Sequence, residues 1–84
     1  MTWTEQNDKL KAEFVFEDFS QAWAFMTEVA ILSERKNHHP ELTNVWNRVS
    51  ISLSTHDAGG VITEKDRKLA DGISKIHERY QNRM

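Results

Sequence analysis

The sequence predicts an α+β fold: a four-stranded antiparallel sheet with two helices packed on one face, in the order ββαββα. Two patterns point there. Leu10, Ala12, Phe14 and Phe16 alternate with Lys11, Glu13 and Val15, and Val49, Ile51 and Leu53 alternate with Ser50, Ser52 and Ser54. This is the period of a strand with one buried face. Apolar residues between Phe19 and Leu32, and again between Leu69 and Tyr80, recur instead at three- and four-residue steps, the period of a helix. Two helices covering one face of an antiparallel sheet is the economical way to bury both sets.

Trp3-Thr4-Glu5 is expected to form a short first strand, with Gln6-Asn7-Asp8 supplying turn-forming side chains after it. The alternation from Leu10 to Phe16 forms the second strand of this hairpin. Asp18 and Gln21 have the spacing of a capping box, so the first helix is expected over Asp18–Lys36. Phe19, Ala22, Trp23, Met26, Val29 and Ala30 share one apolar stripe, whereas Phe25 and Leu32 lie off it. The helix therefore has two apolar sides. One covers the sheet; the other either meets a partner or is wrapped by the rest of the domain. Pro40 disfavours helical geometry at the residue before it. His38 and His39 thus fall at a helix end, where the dipole favours a protonated imidazole.

Leu42 to Trp46 has the β-branched and aromatic content of a third strand. The second alternating run, from Val49, is the fourth. Asn47-Arg48 is read as the turn between them, because one uninterrupted strand from Leu42 to Leu53 would be unusually long. Asp57-Ala58-Gly59-Gly60 breaks the pattern and is expected to be a loop. Thr63 and Asp66 form a second capping box, with Glu64 in the first turn. From there Leu69, Ala70, Ile73, Ile76, His77 and Tyr80 carry a helix toward the C-terminus.

At 84 residues the chain is expected to be a single domain, 1–84, near the lower limit of what one apolar core stabilises. It has no cysteine, so neither a disulfide nor a thiolate metal site is available. Association between copies is a further source of stability for so small a domain. Eleven basic and thirteen acidic residues give a net charge of −2, which offers no general attraction to nucleic acid. The first residues are polar and lack the apolar core of a signal peptide. Ser20, Gln21, Thr27 and Glu28 interrupt the first helix too often for a membrane span. No direct nucleic-acid binding, no membrane association and a cytoplasmic location are the expectations.

The candidate chemistry lies between Glu34 and His56. His38, His39 and His56, three of the four histidines, fall there at the ends of elements, where functional side chains concentrate. Imidazole both gives and takes a proton near neutral pH, so adjacent histidines met by a third could form an acid–base pocket. His77 lies on the apolar stripe of the last helix and is expected to be a partly buried helix histidine. A zinc shell of three imidazoles is the rival reading. Directly adjacent ligands are hard to aim at one ion, and an HExxH helix is absent. There is likewise no Gly-rich phosphate loop before a helix and no nucleophile-elbow serine. No metal and no cofactor are expected. Glu34, one turn before His38, is placed either to orient an imidazole or to be a solvated helix carboxylate. Trp46 is expected in the core rather than as a stacking platform.

The ordered set Glu34-xxx-His38-His39-Pro40, Trp46, His56 and Asp66 resembles the signature of the pterin-4a-carbinolamine dehydratases. Phe25-Met26-Thr27-Glu28-Val29-Ala30, Asn44-Val45-Trp46-Asn47 and Leu53-Ser54-Thr55-His56 resemble the surrounding family sequence, and the likeness runs from about Phe14 through Ile76. The resemblance implies a four-stranded antiparallel sheet with helices on one side. It implies removal of water from a 4a-hydroxytetrahydropterin to give the quinonoid dihydropterin, in cofactor recycling of the tetrahydrobiopterin type. It implies that His38, His39 and His56 are catalytic and contact the pterin. It implies that Pro40, Thr55, Asp57 and Ala58 complete the substrate wall, with Glu34 as a candidate supporting residue. Two positions depart from the family pattern: Leu42, where relatives are usually aromatic, and Asn37, where they often carry an acid. The resemblance also implies a homo-oligomer, dimer or tetramer, through the Asp18–Lys36 helix and the sheet edges. Some relatives serve a homeodomain transcription factor as a dimerisation cofactor. A non-catalytic interaction module acting through the central helix is therefore the alternative function.

Overall fold

The computed structural model describes residues 3–81. The elements follow the expected order: β1 (Thr4–Gln6), β2 (Lys9–Val15), α1 (Phe19–Lys36), β3 (Glu41–Val45), β4 (Arg48–Leu53), a single 3-10 turn (His56–Ala58) and α2 (Glu64–Gln81). The last helix ends at the limit of the described residues. The four strands form one antiparallel sheet in the spatial order β1-β2-β4-β3.

Alternation decides which face of the sheet is buried. Leu10, Ala12 and Phe14 of β2 stand beside Val49, Ile51 and Leu53 of β4, and all six are buried. Between them Lys11, Glu13, Ser50 and Ser52 point to the open face. There Lys9 and Glu41, from the strands on either side of β4, form an ion pair at 3.3 Å. Both helices lie on the buried face. Phe25 and Val29 of α1 and Leu69, Ile73 and Ile76 of α2 complete one core, with Tyr80 and Phe16 at its end. Gly72 allows the two helices to approach, since a Cβ there would meet Leu32 Cδ2 at 2.8 Å. Glu28 fastens them farther along, accepting from the Tyr80 hydroxyl and, at 2.6 Å, from Arg79.

The cap of α1 forms where the sequence places it. Asp18 Oδ1 accepts the Gln21 amide at 2.8 Å, as a helix N-cap does. The return bond differs: the Gln21 side chain accepts from the Glu17 amide, one residue before the cap. In the first hairpin Asn7 and Asp8 both take positive φ, at 52° and 63°, the requirement of a two-residue hairpin loop of the twist-matched kind.

Four expectations are corrected. The first strand is Thr4–Gln6, one residue later than expected; Trp3 instead donates its indole N–H to Ser74 at 2.9 Å. The buried stripe of α1 is Ala22, Phe25, Val29 and Ser33, while Phe19, Trp23 and Ala30 are exposed. Phe25 belongs to the core because it sits among Phe14, Phe16 and Tyr80, with ring centroids 4.9 to 5.9 Å away. The second hairpin turns at Trp46-Asn47, since Val45 pairs with Arg48. Asn47 anchors that turn to the end of β2, where its side-chain amide donates to the Phe16 carbonyl and its own carbonyl accepts the Phe16 amide. Trp46 is consequently at the hairpin tip with φ of 50° and is 65% exposed rather than in the core.

Candidate functional site

Three elements bring the expected site residues to one end of the helix layer. The first is the C-terminus of α1. Asn37 takes the left-handed conformation, φ 52° and ψ 42°, which Asn tolerates better than most residues. Its amide donates to the Glu34 carbonyl, and the His38 amide donates to the Ser33 carbonyl, both at 3.1 Å. This is the Schellman termination of a helix. It reverses the chain immediately before His38 and turns that ring inward. His38 is mostly buried, whereas His39 remains exposed and contacts Glu34 Oε1 through Nε2 at 2.9 Å. Pro40 is half-buried and leads into β3.

The second is the end of β4. Thr55 is buried and closes the following loop. Its amide donates to the Val61 carbonyl at 2.9 Å, and its own carbonyl accepts from Ala58 and Gly60. Gly59 and Gly60 lie at φ 89° and 79°, a region open to glycine at little cost. The loop can therefore fold back within five residues. His56, Asp57 and Ala58 form the 3-10 turn and are exposed.

The third is the N-terminus of α2, where Asp66 is fully buried, with 0% exposure. Its carboxylate is the junction of the site. Oδ2 accepts from the Thr63 amide at 2.9 Å and from the Thr55 hydroxyl at 2.7 Å, and Oδ1 contacts His38 Nε2 at 2.6 Å. The Thr63 and Thr55 hydroxyls are also hydrogen-bonded, at 2.6 Å. Burial pushes the Asp66 carboxyl upward. The hydrogen bonds from His38, Thr63 and Thr55 and the His38 charge outweigh it and hold the group below its ordinary value of 3.8. Asp66 thus joins His38 to the residue before His56.

The expected residues are therefore placed unequally. His38 and Thr55 meet on one carboxylate; His39 and Glu34 form an exposed pair; His56, Asp57 and Ala58 follow Thr55 on the surface. Asp66 was legible as a helix cap and as part of the family signature. Its grip on His38 was not, because a capping pattern carries no information about a residue 28 positions earlier. His77 lies apart from this cluster, with its ring 4.6 Å from that of Phe14. Burial lowers its pKa below 6.5, against the opposing pull of Glu78. Among the described residues, no group of three or more His, Asp or Glu side chains is arranged to hold a metal ion. No described helix is long and apolar enough to cross a membrane.

Comparison with known proteins gives this geometry a context. Residues 1–76 match the family described as pterin 4 alpha carbinolamine dehydratase. A protein of Prochlorococcus marinus strain NATL2A is 49% identical over 75 residues, covering 89% of this chain and 78% of its own. One from Rhizorhabdus wittichii strain RW1 is 51% identical over 71 residues, covering 84% of this chain and 72% of its own. Both carry the name pterin-4-alpha-carbinolamine dehydratase, given provisionally. Among solved structures, a transcriptional coactivator/pterin dehydratase from Brucella melitensis superposes with a TM-score of 0.85 at 37% identity. That match covers 90% of this chain and 82% of the other. A pterin dehydratase-like protein identified as a RuBisCO assembly factor in the alpha-carboxysome gives a TM-score of 0.78 at 28% identity. It covers 92% of this chain and 90% of its own.

Proposed function

From its membership of the pterin 4 alpha carbinolamine dehydratase family, to which this chain belongs, we propose that it removes water from a 4a-hydroxytetrahydropterin. The product is the quinonoid dihydropterin, and the reaction serves recycling of a tetrahydrobiopterin-type cofactor. The observation that carries the reading is the mostly buried His38, held on Asp66 together with Thr55, the neighbour of His56.

The chemistry asks only for proton transfers. The bond between the ring carbon and its hydroxyl breaks with the electron pair leaving on oxygen, which takes a proton and departs as water. The adjacent ring nitrogen gives up its proton, and the released pair forms the carbon–nitrogen double bond. One proton enters and one leaves, with no change of oxidation state. Imidazole, with an ordinary pKa near 6.5, serves either role at neutral pH. Carbinolamines dehydrate unaided, so acid–base assistance of about 10²–10⁴-fold is an adequate catalytic contribution. His38 and His56 handle the two protons, and His39, paired with Glu34, fixes the substrate beside Pro40 and the Thr55–Ala58 turn. His39→Ala is expected to raise KM more than it lowers kcat; the opposite split reverses that assignment.

The test is the dehydration rate of chemically generated 4a-hydroxytetrahydropterin with the native chain and with His38→Ala. The native chain is expected to accelerate the reaction and the variant to lose about 10²-fold or more of that gain. Equal rates favour the second reading, an interaction module. That alternative has its own observation: Phe19, Trp23 and Ile31 are 47%, 56% and 56% exposed on α1. Such a face suits self-association of this chain into a dimer or tetramer, or a protein partner. The Brucella neighbour's description as a coactivator and the carboxysome neighbour's as an assembly factor accord with it.

A further inference from the structure

We propose that Asp66 is a positioning residue: its buried carboxylate holds His38 as the Nε2–H tautomer and so makes Nδ1 the ring atom that takes a proton from the substrate. The catalytic half of this rests on the dehydratase reading above; the tautomer itself does not.

The protons of the network can be placed one after another. An ionised carboxylate only accepts. Asp66 Oδ2 is already occupied by the Thr63 amide, which can only donate, and by the Thr55 hydroxyl. With the Thr55 proton committed to Asp66, the 2.6 Å contact between the threonine hydroxyls is donated by Thr63. Each of these donors therefore favours the ionised form of a carboxylate that no water reaches, as its 0% exposure states. The remaining contact, Oδ1 to His38 Nε2 at 2.6 Å, is then satisfied only by a proton resident on Nε2.

A neutral imidazole protonated at Nε2 carries its lone pair at Nδ1. That nitrogen has no hydrogen-bond partner among the described residues, and it sits across the ring from Asp66. The His38 side chain is 12% exposed, so a small part of an otherwise buried ring is what a substrate reaches. When Nδ1 takes the proton of the pterin ring nitrogen, the resulting imidazolium faces a fixed negative charge and needs no rearrangement. Stabilising an imidazolium and its orientation in this way is the service a buried aspartate renders the histidine of a Ser-His-Asp triad. His56 has no carboxylate partner of this kind among the described residues. It is left to protonate the departing hydroxyl. The clamp also explains why the site closes on the first turn of α2. One side chain caps that helix, bonds the end of β4 and orients the ring delivered by α1.

The direct test is a long-range proton–nitrogen NMR spectrum of the native, nitrogen-labelled chain at about pH 8, well above the ordinary imidazole pKa near 6.5. The expected result is a protonated Nε2 and an unprotonated Nδ1 for His38. A proton on Nδ1, or rapid averaging of both tautomers, overturns the proposal. Asp66→Asn provides the functional arm. Its amide oxygen can still accept from Thr55 and Thr63 while its NH2 faces His38, which forces the opposite tautomer. Dehydration is then expected to fall about 10²–10⁴-fold in kcat, with KM changed less than about threefold. An unchanged kcat in folded Asp66→Asn overturns the catalytic half. Should that variant fail to fold, the native spectrum still decides. A native chain showing Nε2–H without any dehydration supports the clamp and sinks the dehydratase reading instead.

Discussion

His38 and His77 show how differently two histidines of one small chain are treated. His38 meets a carboxylate at 2.6 Å; His77 meets the rings of Phe14, Phe16 and Phe25 at 4.6, 5.6 and 6.0 Å. An imidazole among phenyl rings is easier to bury neutral than charged. Its lowered pKa has a consequence for stability. Below pH 6.5 the unfolded chain binds a proton at His77 more readily than the folded one, so stability is lost as pH falls and is complete above that value. His77→Phe is expected to flatten the decline in melting temperature between pH 7 and about pH 5; a decline as steep as in the native chain contradicts this. Asp66 acts in the same direction at lower pH: its depressed pKa contributes stability above its ordinary value of 3.8, lost as pH falls through the folded value. At this scale the sequence was informative about residue types and poor about partners. The three candidate histidines stand out by position. The carboxylate that holds one of them looks, in one dimension, like an ordinary helix cap.

Helix α1 is the element where periodicity misled most. Apolar residues lie on both of its sides, and the spacing favours a stripe containing Phe19 and Trp23 and leaves Phe25 off it. Only the aromatic cluster contributed by β2 and α2 decides, and that is a tertiary fact. The two sides should respond unequally to truncation. Phe25→Ala is expected to cost about 3–5 kcal/mol, a large share of the ~5–15 kcal/mol available to such domains. Trp23→Ala, exposed in the single chain, is expected to change it by about 0.5 kcal/mol or less. Chemical denaturation of both variants as monomers checks this, and equal losses would contradict the orientation of α1. Turn positions were legible where side chains named the conformation, as at Asn7-Asp8, and slipped by one residue at Trp46-Asn47. There the turn-forming Asn47 spends its amide on Phe16, and Trp46 takes the positive φ. The same logic makes Asn37 a structural residue. Its left-handed conformation sets the exit of α1, so Asn37→Gly is expected to preserve dehydration within about twofold. Asn37→Val, which resists that conformation, is expected to lower it by displacing His38; equal activities in the two variants would contradict this role.

Across the whole molecule, one aligned set of constraints links the core to the site. The sheet buries one face under both helices, and the end of that layer gathers the C-terminus of α1, the tip of β4 and the first turn of α2. The order of elements and the strand faces were legible because alternation in β2 and β4 is unbroken. The meeting of His38 with Thr55 was not, because it depends on how α1 and α2 pack against each other through Leu32 and Gly72. The exposed Phe19–Trp23 pair, with ring centroids 5.7 Å apart, is expected to mediate self-association. A Phe19→Ser, Trp23→Ser double variant should then sediment as a smaller species than the native chain, and identical sedimentation would remove α1 from the interface. Whether a pterin is dehydrated at the junction around Asp66 can be seen in a crystal of this chain soaked with a stable dihydropterin. Ring density is expected against His38, bounded by His39, Pro40 and the Thr55–Ala58 turn. Density elsewhere, with the His38 edge occupied only by solvent, would contradict it.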